Sequence, residues 1–306
     1  MAGFDPPGDT VQRAAVGFPI VDSMPISPSD IRNFVLMQDD FGHEMRVGSV
    51  IRSFPAIEVQ HGGTYTDSVT QKPRQFDYRC WLRKESTSLW LAVECKNLNA
   101  AVPLVVCGTG RRDDEAFHDL TESRNGNFTR GSASLLGSSS ITRRAKGEHA
   151  FYPPKKFVGK SLVRFQGDKK RIERNQDSDV YDKWAQALSS AVGLVESACR
   201  SARALAVRQL VTAVLPVVVV PDDVLWTVAY DGGGGISADP ALVNECELFV
   251  GREIEIAGPK ETPSFHVFAF SHVHFFTLTG FSWFLSRIAI NERAWTGLFT
   301  EKAAEI

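Results

Sequence analysis

Along RQFDYRCWLRKESTSLWLAVECKN, residues 74–97, apolar positions alternate with others on both sides of a polar turn, which predicts two antiparallel strands over 75–83 and 88–97. Phe76, Tyr78, Cys80 and Leu82 then share an apolar face with Leu89, Leu91, Val93 and Cys95. Upstream, SPSD predicts a helix start capped by Ser29 or Asp30 and continuing in one or two pieces through GHEMRVGSVIRSF. AIEVQHGGTYTD reads as a strand entering a turn, and VPLVVCGTG as a short buried strand. In SDVYDKWAQALSSAVGLVESACRSARALAV, Trp184, Leu188, Ala191, Val192, Val195, Ala198 and Cys199 recur at helical spacing. LPVVVV has no polar face and predicts a fully buried strand. The tail, VNECELFVGREIEI, FHVFAFSHVHFF and GFSWFLSRIAI, predicts two strands and a helix. Strands joined by crossover helices define an α/β domain on a mixed sheet.

The stretch 121–140 is dominated by Ser, Gly and Asn and predicts a mobile loop. The expected organisation is an irregular lead-in over 1–27, a main domain over 28–230 with a flexible basic insertion at about 121–175, and a C-terminal α+β extension over 231–306 packed on it.

Hydrophobic residues make up 43% of the 306, enough for a globular core. The five cysteines are scattered without a CxxC pair, which argues against a disulfide framework or zinc module and fits reduced thiols in a cytoplasmic protein. MAGFDPPGDTVQR carries neither a basic nor an apolar leader segment, so secretion is not expected. Val211–Val220 is too short to span a bilayer, and Phe265–Ile290 holds His266, His272, His274 and Arg287, so it reads as buried strand followed by helix and no membrane partner is expected.

Net charge is only −2, but residues 143–174 hold eleven Lys and Arg against three acids, a local balance of +8. Arg143, Arg144, Lys146, Lys155, Lys156, Lys169, Lys170 and Arg171 are the candidate phosphate contacts; the bland alternative is a solvated loop.

Asp77, Glu94 and Lys96 stand among the aromatic and aliphatic residues of this hairpin. Pairing about the turn Lys84-Glu85-Ser86-Thr87 makes opposed residue numbers sum to 171, setting Asp77 across from Glu94 and Gln75 across from Lys96 on one face. Two adjacent carboxylates repel unless a cation or shared proton compensates. Oxygen ligands with room for water and phosphate suit Mg²⁺ or Mn²⁺, and Lys96 on the same face would orient a metal-bound water and offset phosphate charge.

Asp77 followed by Glu94-Cys95-Lys96, on the second and third strands after a helix, resembles the D…(D/E)xK signature of the restriction-endonuclease-like, or PD-(D/E)xK, nuclease superfamily. KPRQFD is similar to the approach to the metal-binding Asp in that superfamily, with Phe76 in place of the signature's Pro. The resemblance spans roughly residues 28–110 and 178–220. It implies a core of helix, three-stranded antiparallel meander, crossover helix and further buried strand. It also implies a Mg²⁺-dependent endonuclease acting on DNA, with a role in defence against foreign DNA. Asp77, Glu94 and Lys96 would be catalytic; Glu44 from the first helix, with Glu58 as fallback, would join Asp77, Glu94 and the Cys95 carbonyl around the metal. Lys183 and Gln186 on the crossover helix, and Gln75, would flank the cleft.

Two alternatives stand beside it: a non-catalytic nucleic-acid-binding or interaction module retaining the fold, and an assembly protein whose aromatic strands over 265–276 form a homo-oligomer interface, which is compatible with nuclease activity; an activating partner protein is a separate partner expectation. His272 and His274 share a strand face without an evident third ligand and read as a structural pair. Gly232–Gly235 lacks the GK[ST] ending of a phosphate loop, and no GxSxG elbow supports a serine hydrolase.

Overall fold

The computed structural model describes residues 26–38, 40–67, 70–98, 101–130, 133–147, 151–166, 173–175, 178–205, 207–257, 265–291, 295 and 299. Two compact units result, residues 1–38 and 39–306.

In the first unit, α1 (Pro28–Gln38) is capped by Ser27, two residues before the nearer of the expected caps, Ser29 and Asp30. The Ser27 hydroxyl accepts the Asp30 N–H at 3.2 Å, and the Asp30 carboxylate accepts the Ser27 hydroxyl at 2.6 Å and the Ser27 N–H at 2.9 Å, bonds that hold the Asp30 carboxyl below its usual range. Pro28 follows the cap, where its missing N–H loses nothing.

The second unit begins with α2 (Phe41–Arg52), β1 (Glu58–His61), β2 (Thr64–Thr66), β3 (Pro73–Gln75), β4 (Tyr78–Lys84), β5 (Thr87–Cys95) and β6 (Leu104–Gly110). It continues through β7 (Phe117–Arg130), β8 (Ala133–Lys146), β9 (Phe157–Gln166), β10 (Glu173–Asn175), α3 (Ser178–Ala204) and β11 (Gln209–Val220). β12 (Leu225–Ala229), β13 (Ala241–Leu242), β14 (Glu245–Ala257), β15 (Phe265–Thr277) and α4 (Leu278–Ile290) complete it. The main sheet runs β1-β4-β5-β11-β15-β14-β9-β6-β12-β13, while β2 and β3 form a separate hairpin. β1, β4 and β5 are an antiparallel meander; β11 then adds parallel to β5, and β15 parallel to β11. The class is thus α/β with a mixed sheet.

Two cores lie on opposite faces. Leu188, Ala191, Val192, Val195 and Ala198 of α3 pack with Trp90, Ala92, Val214 and Val218 on one. On the other, Val47 and Ile51 of α2 and Phe281, Phe284 and Leu285 of α4 pack with Tyr78, Cys80, Leu89, Leu91, Val93 and Cys95. Buried on both faces, β11 has the near-continuous apolar composition that LPVVVV announces.

The expected loop over 121–140 is instead most of a long hairpin, β7 with β8. β7 also pairs with the first half of β11, Leu120–Arg124 against Gln209–Ala213, so the β11 edge there is closed. Buried acids of this hairpin are held in ion pairs: Asp119 takes both Nε and a terminal nitrogen of Arg144 at 2.7 and 2.9 Å, and Glu122 meets Arg124 and Arg143. Composition cannot distinguish such a strand from a loop, because the compensating partners are distant in sequence.

The first predicted strand is also shorter. β4 starts at Tyr78, and Gln75 belongs to β3, paired with Thr64 and exposed, so it does not face Lys96. β14 and β15 join the main sheet. Among the described residues, no helix is long and apolar enough to cross a membrane, and Phe265–Ile290 is strand β15 followed by α4. All five cysteines are free thiols.

Candidate functional site

The β4–β5 hairpin closes through Glu85 and Ser86, and every paired position from Tyr78↔Val93 to Lys84↔Thr87 sums to 171. Continuing that register by one step places Asp77 at the level of Glu94. The Asp77 carboxylate accepts the Cys95 N–H at 2.7 Å, binding the start of one strand to the end of the other. Gly62 donates its N–H to the Asp77 carbonyl at 2.8 Å, which ties the β1 end to the same corner.

Glu94 is 1% exposed. Strand alternation turns it and Ala92 toward α3, whereas Val93 and Cys95 enter the α2–α4 core. The Cys95 thiol is therefore sealed in hydrocarbon, turned away from the Asp77 and Glu94 carboxylates. Glu94 is electrostatically coupled to Tyr65 and Arg79, neither of which the sequence reading singled out. The Tyr65 hydroxyl donates to the Gln186 carbonyl at 3.3 Å, so the β2–β3 hairpin is fastened to α3 beside Glu94. Burial, reinforced by Glu94 and Asp67, pushes the Tyr65 phenol upward, keeping it a neutral donor.

Lys96 follows the end of β5 and binds Asp40, Nζ to Oδ2 at 3.4 Å, while the other Asp40 oxygen accepts the Asn97 N–H at 2.8 Å. Its own N–H donates to Val219 O, and buried His43 of α2 makes a 3.1 Å Nε2 contact with that same carbonyl. Desolvation lowers the His43 pKa, so the ring is a neutral clamp between α2 and β11.

Glu44 approaches from the α2 side. Its carboxylate binds His61 Nε2 at 2.7 Å, and its carbonyl accepts the Tyr78 hydroxyl at 3.0 Å. The His61 ring stacks on Tyr78 with centroids 4.6 Å apart. The Tyr78 phenol is pushed up to about 12, by desolvation first and then by Cys95, Glu44 and Asp77. The fallback acid Glu58 pairs with Trp81 at the outer strand and is exposed.

The fold thus brings Glu44, Asp77, Glu94, Cys95 and Lys96 to the end of the sheet where parallel β5 and β11 terminate, a common ligand position in α/β proteins. It does not gather them into one coordination shell: among the described residues, no group of three or more His, Cys, Asp or Glu side chains is placed to hold a metal. In kind the carboxylates of Asp77 and Glu94 suit a hard dication, and the nearby Cys95 thiol is turned away into the core.

The basic segment divides. Arg143 and Arg144 are committed to buried Glu122 and Asp119, so they are not open phosphate contacts. Lys160 likewise meets buried Glu115. Lys146, Lys155 and Lys156 are exposed, and Lys169, Lys170 and Arg171 lie outside the described residues. Gln186 is half-buried on α3; Lys183 is on the same helix, its side chain outside the described set.

His272 and His274 are buried with partners of their own. Arg111 Nε donates to His272 Nε2 at 3.0 Å, and the Tyr152 hydroxyl lies 2.7 Å from His274 Nε2. Because a guanidinium can only donate, His272 is neutral with its proton on Nδ1.

No known protein family, characterised protein or solved structure matches this chain.

Proposed function

We propose that the protein is a Mg²⁺- or Mn²⁺-dependent endonuclease of the restriction-endonuclease-like type, hydrolysing phosphodiester bonds in DNA. The observation that carries this reading is the Asp77 carboxylate on the Cys95 N–H, one residue from Glu94 and Lys96, at the end of an antiparallel meander. The order of α2, meander, crossover helix α3 and parallel β11 supports the same reading.

Asp77, Glu94 and the Cys95 carbonyl would hold the cation, with Glu44 joining once His61 releases it. The bound ion would polarise the scissile phosphate and acidify a water. Lys96 Nζ, steered by Asp40, would donate a hydrogen bond that orients this water and offsets charge on the attacked phosphate. Lys146, Lys155 and Lys156 would contact the backbone, giving salt-sensitive, sequence-blind binding.

The test is incubation of supercoiled plasmid and single-stranded DNA with the protein in Mg²⁺, Mn²⁺ or EDTA, beside Asp77→Ala and Lys96→Ala. Divalent-dependent cutting lost in both variants is expected. DNA binding without cutting in any metal would overturn the enzyme.

That outcome defines a second reading, a non-catalytic nucleic-acid-binding or interaction module on the same fold. Burial of Glu94 and the engagement of Glu44 by His61 favour it.

A further inference from the structure

Asp77, Arg79 and Trp81 alternate onto the face that carries Trp90, Ala92 and Glu94 on the partner strand. Arg79 lies opposite Ala92, one diagonal step from Glu94, within reach of a long side chain. Around it the face is hydrocarbon, so the Glu94 carboxylate needs a compensating cation nearby.

The Arg79 guanidinium is clamped by three residues, Ser190, Phe76 and Tyr65. Nε donates to Ser190 Oγ at 3.4 Å and a terminal nitrogen to Ser190 O at 3.3 Å, both on α3. The group lies 4.3 Å over the Phe76 ring and 5.9 Å from that of Tyr65. Gly193, one turn beyond Ser190, leaves space: a Cβ there would stand 3.2 Å from the guanidinium. Desolvation pulls the Arg79 pKa down, and Tyr65 and Glu94 pull it back up.

We infer that Arg79 is the positioning residue for Glu94: fixed between the hairpin and α3, it neutralises the buried carboxylate and holds it beside Asp77, at the edge to which the nuclease reading assigns a divalent cation. The metal part of this inference rests on the nuclease reading. The pairing part does not.

The experiment is a double-mutant cycle on the full chain, with urea midpoints for the wild type, Arg79→Met, Glu94→Gln and the double variant, alongside calorimetric titration with MnCl₂. Arg79→Lys is the conservative control. Each single change lowers the midpoint, whereas Glu94→Gln made on top of Arg79→Met raises it, because a buried charge without its counterion has been removed. Mn²⁺ binding weakens by about tenfold or more in Arg79→Met and is largely restored in Arg79→Lys. Midpoint shifts that simply add, or Mn²⁺ affinity unchanged by Arg79→Met, would overturn the inference. Coupled midpoints in a chain that binds no Mn²⁺ and cuts no DNA would leave the pairing standing and remove the nuclease reading. Should Arg79→Met fail to fold alone, refolding of the double variant is the same sign reversal; its absence overturns the pairing.

Discussion

Asp77 and Cys95, eighteen residues apart, are joined side chain to backbone at 2.7 Å, and this bond ties the start of β4 to the end of β5. Its two functions are separable. Asp77→Asn keeps an acceptor for the Cys95 N–H and loses the charge, so stability stays close to wild type, while the proposed nuclease reading requires that divalent binding and cleavage be lost. Asp77→Ala also loses the charge-assisted bond and destabilises by about 1.5–3 kcal/mol. Urea unfolding of both variants, with cleavage measured in parallel, checks the separation.

Gly48 of α2 sits against Tyr78, where an added Cβ would lie 2.2 Å from the phenol oxygen. Gly48→Ala should gain about 1 kcal/mol of helix propensity. It should also force apart a helix and strand that are locked by the Tyr78–Glu44 bond, at about 1–3 kcal/mol. The expected outcome is a lower melting temperature despite the better helix former, which calorimetry reads directly.

Acid sensitivity follows from His272 and His274, whose pKa values are driven down to about 2 and about 3, by desolvation first and then by Arg111. In the unfolded chain both titrate near 6.5, so below that pH the unfolded state binds more protons and stability falls. The contribution is complete above pH 6.5 and is lost progressively as pH drops toward the folded values. Each ring adds a slope of up to about 1.4 kcal/mol per pH unit. Between pH 6.5 and 5, before carboxylates dominate, His274→Asn should flatten the dependence of the urea midpoint.

The basic segment should separate into structural and surface residues. Arg144→Ala leaves the Asp119 carboxylate, wholly buried, without its cation and should destabilise by about 3–5 kcal/mol. Lys155→Ala with Lys156→Ala should leave the melting temperature unchanged and, if both lysines contact phosphate, reduce the slope of log affinity against log salt by about 2. Thermal unfolding and fluorescence anisotropy at several salt concentrations distinguish the two.

The sequence by itself determined what is written in short-range periodicity. The 171 pairing, the apolar faces of the hairpin, the long amphipathic α3 and the buried β11 all follow from alternation at period 2 or 3.6, which a neighbouring turn is enough to set. The placement of Asp77 beside the Glu94-Cys95-Lys96 segment was legible for the same reason.

Only the tertiary structure decided what each charged group meets. Arg144 finds Asp119 across the β7–β8 hairpin, Glu44 finds His61, Lys96 finds Asp40, and Arg79 is clamped on α3. It also turned a Ser- and Gly-rich stretch into strands by giving it the open edge of β11. These partners lie up to 111 positions away along the chain, and a charge is stabilised by whatever the fold brings near it, a relation that local composition does not encode.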